Sequence, residues 1–175
     1  AFHVSGGTTE CLRMKPQDGL FSIEKAAGTL DLNAGQLIDR VGVSLGLRFP
    51  CGMELDRMAR QCEHSMRARP AMDGVNVHFS GAQNQCGRML SDGRSREEVA
   101  RYAVEYVLAA VDEMTARVME AYGALPVVYA GGVMSNSLCR ARLTEKYGGY
   151  FADPAFSSDN AAGVALIGAV KDGAL

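Results

Sequence analysis

Two pairs of adjacent glycines follow predicted strands directly, and they are the clearest candidates for binding chemistry in this sequence. The first pair is Gly6-Gly7 and the second is Gly131-Gly132. Glycine tolerates positive φ and close approach, so successive backbone N–H groups in such loops can converge on one anion. The second pair also precedes a predicted helix, whose amino end favours negative charge. An ordinary tight turn is the simpler interpretation of each loop alone, but two loops on neighbouring strand ends favour a shared binding site.

Several better-known site motifs are missing from the sequence. No two of its 20 glycines are separated by a single residue, so the GxG core of dinucleotide-binding and kinase loops is absent. Neither GxxxxGK[ST], GxSxG nor CxxC occurs. The histidines are His3, His64 and His78, and they form no HxxxH or HxH pair. We therefore expect no complete metal site within this chain alone.

Two aspartates each have a structural and a functional interpretation. Asp39 lies on a predicted helix beside Arg40, where a solvated charge is the common outcome. Asp159 lies at a predicted helix start, where it would cap free backbone N–H groups. A carboxylate next to phosphate-binding loops can instead hold a divalent cation. The spacing alone leaves both interpretations open.

Hydrophobic periodicity predicts the elements that would position these residues. Strands are predicted over residues 2–5, 10–14, 20–23, 75–79, 125–129 and 150–152, with the first two forming a hairpin. Helices are predicted over residues 32–45, 55–66, 95–123, 135–147 and 157–170. The long central helix has a capping box, Ser95-x-x-Glu98, and ends at Gly123. The strand at 125–129 lacks alternation, which is typical of burial on both faces.

This alternation of strands and helices predicts an α/β fold with a mainly parallel sheet between helical layers. The chain has 175 residues, 47% hydrophobic, with net charge −2, as expected for one globular domain or one lobe of a larger protein. No apolar run approaches the ~18 residues of a membrane span. The scattered cysteines indicate reduced thiols in a cytoplasmic protein. Because an apolar stretch begins directly at Ala1, we expect the chain to be part of a longer polypeptide.

The overall charge argues against a protein that binds nucleic acid through bulk electrostatics, but it allows a local basic patch. Arg57, Arg60, Arg67 and Arg69 form such a cluster, interleaved with acidic residues. A solvated, ion-paired surface is the simpler interpretation of this cluster, and an RNA-facing patch is the alternative.

Ordered motifs along residues 2–169 resemble those of the TsaD-type family, the tRNA threonylcarbamoyladenosine transferases formerly named O-sialoglycoprotein endopeptidases. The motifs are Val4-Ser5-Gly6-Gly7-x-Thr9, Thr29-Leu30-Asp31-x-x-Ala34-Gly35-x-x-x-Asp39-Arg40, Phe49-Pro50-x-Gly52, Phe79-Ser80-Gly81, Gly131-Gly132-Val133-x-x-Asn136 and Asp159-Asn160-Ala161-Ala162. The resemblance implies an actin-like ATPase (ribonuclease H-like) fold, with a mixed sheet flanked by helices. Residues 1–175 would then form the second, C-terminal lobe, without the N-terminal lobe.

The resemblance also implies a reaction and a set of site residues. Family enzymes transfer a threonylcarbamoyl group from its anhydride with AMP to an adenosine of tRNA. The residues expected to bind this ATP- or AMP-type nucleotide are His3, Val4, Ser5, Gly6, Gly7, Asp39, Gly52, Gly131, Gly132 and Asn136. Asp159 would bind one divalent metal, which is iron, zinc or magnesium, together with a histidine pair on the missing lobe. No catalytic residue is assigned to this chain, since the tRNA amine is the attacking group.

Departures from the family pattern leave more than one function open. Thr8 stands where a histidine is usual, Leu32 replaces an acidic residue, and Gln36 replaces a glutamate. The leading hypothesis is a nucleotide-binding lobe that is inactive in isolation, with the missing lobe, tRNA and modification-complex subunits as partners. The alternative is a non-catalytic paralogue that serves as a scaffold or homodimerisation partner. A metallo-glycoprotease is the third hypothesis, and no membrane association is expected.

Overall fold

The computed structural model describes residues 1–157 and 161–174, and its strands and helices alternate along the chain. The strands are β1 (Phe2–Val4), β2 (Thr9–Gln17), β3 (Leu20–Gly28), β4 (Ala71–Asp73), β5 (Asn76–His78), β6 (Val128–Ala130) and β7 (Tyr150–Phe151). The α-helices are α1 (Ala34–Ser44), α2 (Gly52–Gln61), α3 (Ser80–Ser91), α4 (Arg96–Tyr122), α5 (Ser137–Tyr147) and α6 (Ala161–Lys171). Short 3₁₀ turns cover Gly132–Ser135 and Pro154–Phe156.

The main sheet is mixed, with the strand order β3-β2-β1-β6-β7. β1 pairs antiparallel with β2, and β2 pairs antiparallel with β3, whereas β1–β6 and β6–β7 are parallel. The predicted hairpin of the first two strands and the mixed sheet flanked by helices are confirmed. The expectation of a mainly parallel sheet is wrong, because the first three strands are joined by connections too short for a crossover.

Packing of the sheet against α1 and α4 forms the core. Phe2 and Val4 are buried on this face of β1, and the ring of Phe2 stacks on Tyr129 of β6 at 5.3 Å between centroids. Phe151 of β7 stacks on the other side of Tyr129, at 4.8 Å. A row of aromatic rings therefore ties the three parallel strands together, in addition to their backbone hydrogen bonds.

The long helix α4 forms as its sequence predicts. The Ser95 hydroxyl accepts a hydrogen bond from Glu98 N at 3.2 Å, and the Glu98 carboxylate accepts one from Ser95 N at 3.0 Å. Gly123 follows the helix with φ of 86°. The capping box and the end at Gly123 are thus confirmed, and both bound the helix that forms one side of the core.

Besides the short strand β4, the sequence did not predict helix α3. Its amino end is capped from a distant segment, because the Asp31 carboxylate accepts hydrogen bonds from Phe79 N at 2.7 Å, Ser80 N at 3.1 Å and the Ser80 hydroxyl at 2.6 Å. No side chain of the helix's own N-cap residue makes that bond. A cap supplied across 49 positions leaves no local pattern for a sequence to show.

Other element boundaries also differ from the sequence predictions. Helix α2 covers Gly52–Gln61 rather than 55–66, and β2 and β3 extend to an Asp18-Gly19 turn in which both residues have positive φ. An Asp-Gly pair between two strands is a strong hairpin signal that the prediction did not use. β6 is shorter than 125–129, and Val128 is 42% exposed, so this strand is not buried on both faces.

Helix α6 lies near β3 and exposes apolar side chains to solvent. Val164 is 72% exposed, and Leu166 and Ile167 are 57% and 61% exposed. The described part of this helix agrees with the prediction, but its predicted cap at 157–159 extends into 158–160, outside the described residues. No helix within residues 1–157 and 161–174 has the length and hydropathy needed to cross a bilayer.

The cap on α3 gives a pH-dependent contribution to stability. Burial raises the pKa of Asp31, but hydrogen bonds from Phe79, Ser80 and Leu32 outweigh it and lower the pKa to about 2. Because the folded value lies below the unfolded value of about 3.9, the stabilisation is present above pH ~4 and is lost as pH falls towards ~2. We expect Asp31→Ala to lower the free energy of unfolding by about 1–2 kcal/mol at pH 7. Urea denaturation followed by circular dichroism measures this difference.

Asp92→Ala is the matched control, because Asp92 lies at the other end of α3 and its carboxylate accepts no hydrogen bond from a backbone N–H of the described residues. This substitution should change the free energy of unfolding far less than Asp31→Ala. The difference between wild type and Asp31→Ala should shrink between pH 4 and pH 2. A difference that stays constant over that interval contradicts the role of the charged carboxylate.

Candidate functional site

The parallel pairing of β1 with β6 places both glycine loops at one edge of the sheet. Phe2 is paired with Tyr129 and His3 with Ala130, so both strands end at the same level. Gly131 has φ of 99°, and a Cβ at this position would lie 2.3 Å from the carbonyl oxygen of Val4. The two loops are therefore packed backbone to backbone, which only glycine permits at residue 131.

A third backbone segment approaches the same loops. A Cβ on Gly35, at the start of α1, would lie 2.6 Å from both Gly6 N and Ser5 O. Gly35 N donates a hydrogen bond to Ser5 O at 3.1 Å. Helix α1 is thus fixed against the first loop by a glycine contact, and this brings the rest of α1 beside both loops.

These segments enclose a cleft of about 520 Å³. The loops, α1, the start of α2, α4 and the start of α5 all contribute to its wall. Its apolar lining consists of Ile38, Pro50, Met53, Leu55, Val104, Val107 and Val133. Among the described residues, its charged lining consists of Asp39 and Asp56, without lysine or arginine. The cleft therefore combines apolar side chains with two carboxylates and the two glycine loops.

The cleft gathers half of the residues that the sequence predicted for the site. Gly6, Asp39, Gly52, Gly132 and Asn136 all line it, although they are far apart in the chain. The remaining predicted residues, His3, Val4, Ser5, Gly7 and Gly131, are not part of the lining. The predicted metal ligand Asp159 lies outside the described residues.

The residues outside the lining have identifiable positions. Val4 is fully buried in the core, and its neighbour His3 is exposed, as alternation along β1 requires. The hydroxyl of Ser5 accepts hydrogen bonds from Gly7 N at 3.3 Å and Thr8 N at 3.1 Å. Those two N–H groups are occupied within the loop, so Ser5 shapes the loop that presents Gly6 to the cleft.

Backbone N–H groups remain available at both loops. Within the part of the chain that the structure describes, Gly6 N donates to no recorded acceptor, and Gly6 is exposed. Gly132 begins the 3₁₀ turn Gly132–Ser135 and is also exposed. Because the first N–H groups of a helical turn lack partners within it, they can bind an anion. The end of the cleft at the two loops is therefore its anion-accepting end.

Asp39 is held in place by the loop that precedes α2. Its Oδ1 accepts a hydrogen bond from Cys51 N at 2.8 Å. No partner within residues 1–157 and 161–174 is recorded for the second oxygen, Oδ2, and the side chain is only half-buried. One oxygen thus orients the carboxylate while the other can accept hydrogen bonds in the cleft.

Asn136 has a structural role in addition to lining the cleft. Its Oδ1 caps α5 by accepting from Leu138 N at 3.0 Å and Cys139 N at 3.1 Å. Its Nδ2 donates to Asp56 Oδ1 at 2.6 Å, and the other oxygen of Asp56 accepts from Arg60 at 2.6 Å. This chain of contacts fixes α2 against α5 across the cleft.

Asp56 was missed by the sequence prediction, although it lines the cleft as closely as Asn136. Its side chain is only 13% exposed. An acidic residue on α2, one turn after Gly52, faces the same way as that glycine. The four-residue spacing from Gly52 to Asp56 could have indicated that Asp56 lines the site. It was not used, because α2 was predicted to begin at residue 55 and Gly52 was not placed on the helix.

The two cysteines near the cleft are not nucleophiles. Burial, followed by the charges of Asp56 and Glu105, raises the pKa of the Cys139 thiol to about 12. Burial and the neighbouring Asp39 and Glu54 also raise the pKa of Cys51. Both side chains therefore remain protonated thiols at neutral pH, so the cleft supplies binding groups rather than an attacking sulfur.

One of the departures from the family pattern has a structural explanation. Gln36 Oε1 accepts a hydrogen bond from Asn33 N at 3.0 Å and so completes a capping box at the start of α1. Glutamate and glutamine serve equally in this motif. The loss of charge at Gln36 therefore leaves the helix start intact.

No metal-binding cluster is found in the described ranges 1–157 and 161–174, since no three His, Cys, Asp or Glu side chains are grouped there. The histidines His3 and His64 are exposed, and His78 lies near Asp31, away from the cleft lining. The donor set on these residues does not fit a divalent metal.

The sequence matches the family described as "TsaD: tRNA N6-adenosine threonylcarbamoyltransferase" over residues 1–166. A curated tRNA N6-adenosine threonylcarbamoyltransferase from Thermococcus gammatolerans is 31% identical over 172 residues, which cover 95% of this chain and 52% of that protein. The chain belongs to the TsaD family. This TsaD-family chain spans about half the length of that curated relative.

A solved structure shares the fold of this TsaD-family chain. The crystal structure of T. kodakarensis HypF aligns with a TM-score of 0.58 over 69% of this chain and 17% of that one, at 18% sequence identity. At that identity the likeness shows the fold alone. It agrees with the ribonuclease H-like ATPase fold implied by the sequence motifs, so the α/β fold prediction is confirmed.

The contact between the two loops can be tested by a pair of glycine substitutions in this TsaD-family chain. Gly131→Ala places a Cβ against Val4 O in a left-handed backbone conformation, and we expect it to lower the free energy of unfolding by at least about 2 kcal/mol. Gly132→Ala, whose Cβ meets nothing within 4 Å, should change it by less than about 0.5 kcal/mol. Chemical denaturation of both variants provides the measurement, and equal losses would refute the close approach of the loops.

Proposed function

We propose that the chain is the adenine-nucleotide-binding lobe of a tRNA N6-adenosine threonylcarbamoyltransferase, with threonylcarbamoyl-AMP as its nucleotide substrate. The observation that carries the proposal is the convergence of both glycine loops, Asp39 and Gly52 on one cleft of about 520 Å³. A volume of this size is typical of a site for a small molecule. Membership of the TsaD family supports the choice of nucleotide and reaction.

The charge distribution of the cleft suggests how the nucleotide would lie. A phosphate would be repelled by the carboxylate of Asp39, so it would lie against the N–H groups of Gly6 and Gly132. No cationic side chain of residues 1–157 and 161–174 lines the cleft, so backbone amides would supply its positive potential. This arrangement places the negatively charged part of the nucleotide at the loops and leaves Asp39 Oδ2 for hydroxyl groups, since both oxygens of Asp56 accept from Asn136 and Arg60.

The other parts of the nucleotide have matching surfaces. Ribose hydroxyls can donate hydrogen bonds to Asp39 Oδ2, because Oδ1 is already bound to Cys51 N. The base would occupy the apolar side formed by Ile38, Val104 and Val107. Gly52 also lines the cleft and has no side chain, which would allow the ligand to approach the start of α2.

In the proposed reaction, the N6 amine of a tRNA adenosine attacks the carbamoyl carbon of the mixed anhydride. A C–N bond forms, the C–O bond to the phosphate breaks, AMP leaves with the electron pair, and the amine loses one proton to solvent. The described residues of this chain bind and orient the nucleotide and exclude water from one side. This division agrees with the protonated thiols in the cleft, which offer no nucleophile.

The metal, the second lobe and the partners belong to the same proposal. TsaD-family enzymes use a metal and an ATP-derived substrate, and Asp159 remains our predicted ligand for it, with histidines from an N-terminal lobe. The length of the curated relative, about twice that of this chain, supports a two-lobe enzyme of which residues 1–175 are the C-terminal lobe. tRNA and modification-complex subunits would be its partners, in the cytoplasm.

Gly132→Val tests the nucleotide site directly. A Cβ on Gly132 meets nothing within 4 Å, so the substitution fits the fold but fills space at the anion-accepting end of the cleft. We expect the dissociation constant for AMP or ATP to rise at least about tenfold, which corresponds to about 1.4 kcal/mol. Isothermal titration calorimetry at fixed salt measures the change.

Gly87→Val is the control, because Gly87 on α3 is also unobstructed and lies away from the cleft. It should leave nucleotide affinity unchanged. If Gly132→Val and Gly87→Val bind AMP equally well, the nucleotide is not bound at the glycine loops. If the wild-type protein binds neither nucleotide, the scaffold hypothesis replaces the proposed function.

A further inference from the structure

A second depression lies on another face of α4, apart from the nucleotide cleft. This groove has a volume of about 500 Å³ and is lined by Arg67, Ala68, Arg69, Pro70, Met72, Ala109, Asp112, Glu113 and Arg117. Helix α4 contributes Val107 to the cleft and Ala109 to the groove, and residues two apart on a helix face directions about 200° apart. The groove is therefore a separate surface feature.

The segment before β4 directs two arginines into the groove. The burial of residues 66–69 alternates, with Met66 and Ala68 packed on the core while Arg67 and Arg69 are exposed. Both arginines line the groove, so it has two neighbouring guanidinium groups. Two such groups suit successive phosphates of one nucleic-acid strand.

The acidic residues of the groove are already engaged by other cations. Asp112 accepts two hydrogen bonds from Lys146, at 2.7 and 2.9 Å, and Glu113 accepts from Arg117 Nε at 2.9 Å. Arg67 and Arg69 have no carboxylate partner within the parts of the chain that the structure describes. The groove thus retains two uncompensated guanidinium groups, although the whole chain carries a net charge of −2.

Arg117 is the third arginine that lines the groove, and its guanidinium group is held in place by two contacts. Its Nε is held by Glu113 and its Nη1 donates to the carbonyl of Gly74 at 2.6 Å, in the turn between β4 and β5. A guanidinium held at two points loses little conformational freedom when it meets an anion. The groove is therefore partly pre-organised for a ligand with repeated negative charge.

We propose that this groove binds the phosphate backbone of an RNA strand, through Arg67 and Arg69 with Arg117 at its edge. None of its described lining residues is aromatic, so these residues offer no surface on which a base can stack. Forked guanidinium groups match phosphate oxygens, and contacts of this kind position an RNA without selecting its sequence. The choice of RNA over an acidic protein rests on the proposed function, in which the acceptor is a tRNA.

The test compares charge reversals inside and outside the groove. Arg67→Glu/Arg69→Glu should weaken binding of a fluorescently labelled tRNA transcript by at least about tenfold at low salt, and should reduce the slope of log K against log [salt] by about 1–2. Lys15→Glu/Lys171→Glu carries the same change of charge at exposed positions elsewhere and should have a much smaller effect. Fluorescence anisotropy between about 50 and 200 mM KCl measures both quantities.

Two further measurements separate this inference from the proposed function. AMP affinity should be the same in wild type and in Arg67→Glu/Arg69→Glu, because the groove and the cleft share no lining residue. Arg67→Gln/Arg69→Gln, which removes charge without reversing it, should give an intermediate loss of tRNA binding. Equal tRNA affinity in the groove and control variants overturns the inference, as does a wild-type protein that binds an acidic peptide but no tRNA. Neither of these outcomes changes the loss of AMP binding expected for Gly132→Val, because that variant tests the nucleotide cleft alone.

Discussion

The parallel contact between β1 and β6 is the feature on which the cleft depends. It places the ends of both strands at one level, and the missing side chain of Gly131 lets the second loop lie against Val4 O. Gly35 then brings α1, and with it Asp39, against the first loop. A single pairing of short strands thereby assembles binding groups from residues 6, 39, 52 and 132. The aromatic stack through Phe2, Tyr129 and Phe151 stabilises the same three strands from the core side.

Helix α4 separates two surfaces of opposite character. The cleft on one side has carboxylates and backbone amides, and the groove on the other has uncompensated guanidinium groups. The helix is fixed to α5 by Glu105, a buried carboxylate that accepts hydrogen bonds from Arg101 at 2.7 Å and Arg142 at 3.1 Å. A buried carboxylate that loses a cationic partner destabilises the folded state. This network therefore holds α4 and α5 in a fixed relative position. The cap residue Asn136 lies at the start of the helix so fixed.

Much of this architecture could be predicted from the sequence, because local patterns encode it. The capping box at Ser95, the end at Gly123 and the first hairpin all follow from neighbouring residues. Helix α3 could not be predicted, since its cap comes from Asp31, and the role of Asp56 depends on where α2 begins. Likewise, the motifs identified five residues that line the cleft. His3 and Val4 do not line it, because side chains alternate along β1, so that His3 is exposed and Val4 is buried in the core. The motifs identify residues in both loops, but only the packing decides which atoms of each loop face the cleft.

The five cysteines are all buried as free thiols, and each lies in a different part of the fold. Cys11 is on β2, Cys51 and Cys62 flank α2, Cys86 is on α3 and Cys139 is on α5. Burial raises the pKa of Cys11 to about 11 and that of Cys86 to about 12, so neither reacts until its surroundings open. The chain consequently contains its own set of reporters for partial unfolding. The order in which an alkylating reagent modifies these sulfurs would show which part of the fold opens first, without any added label.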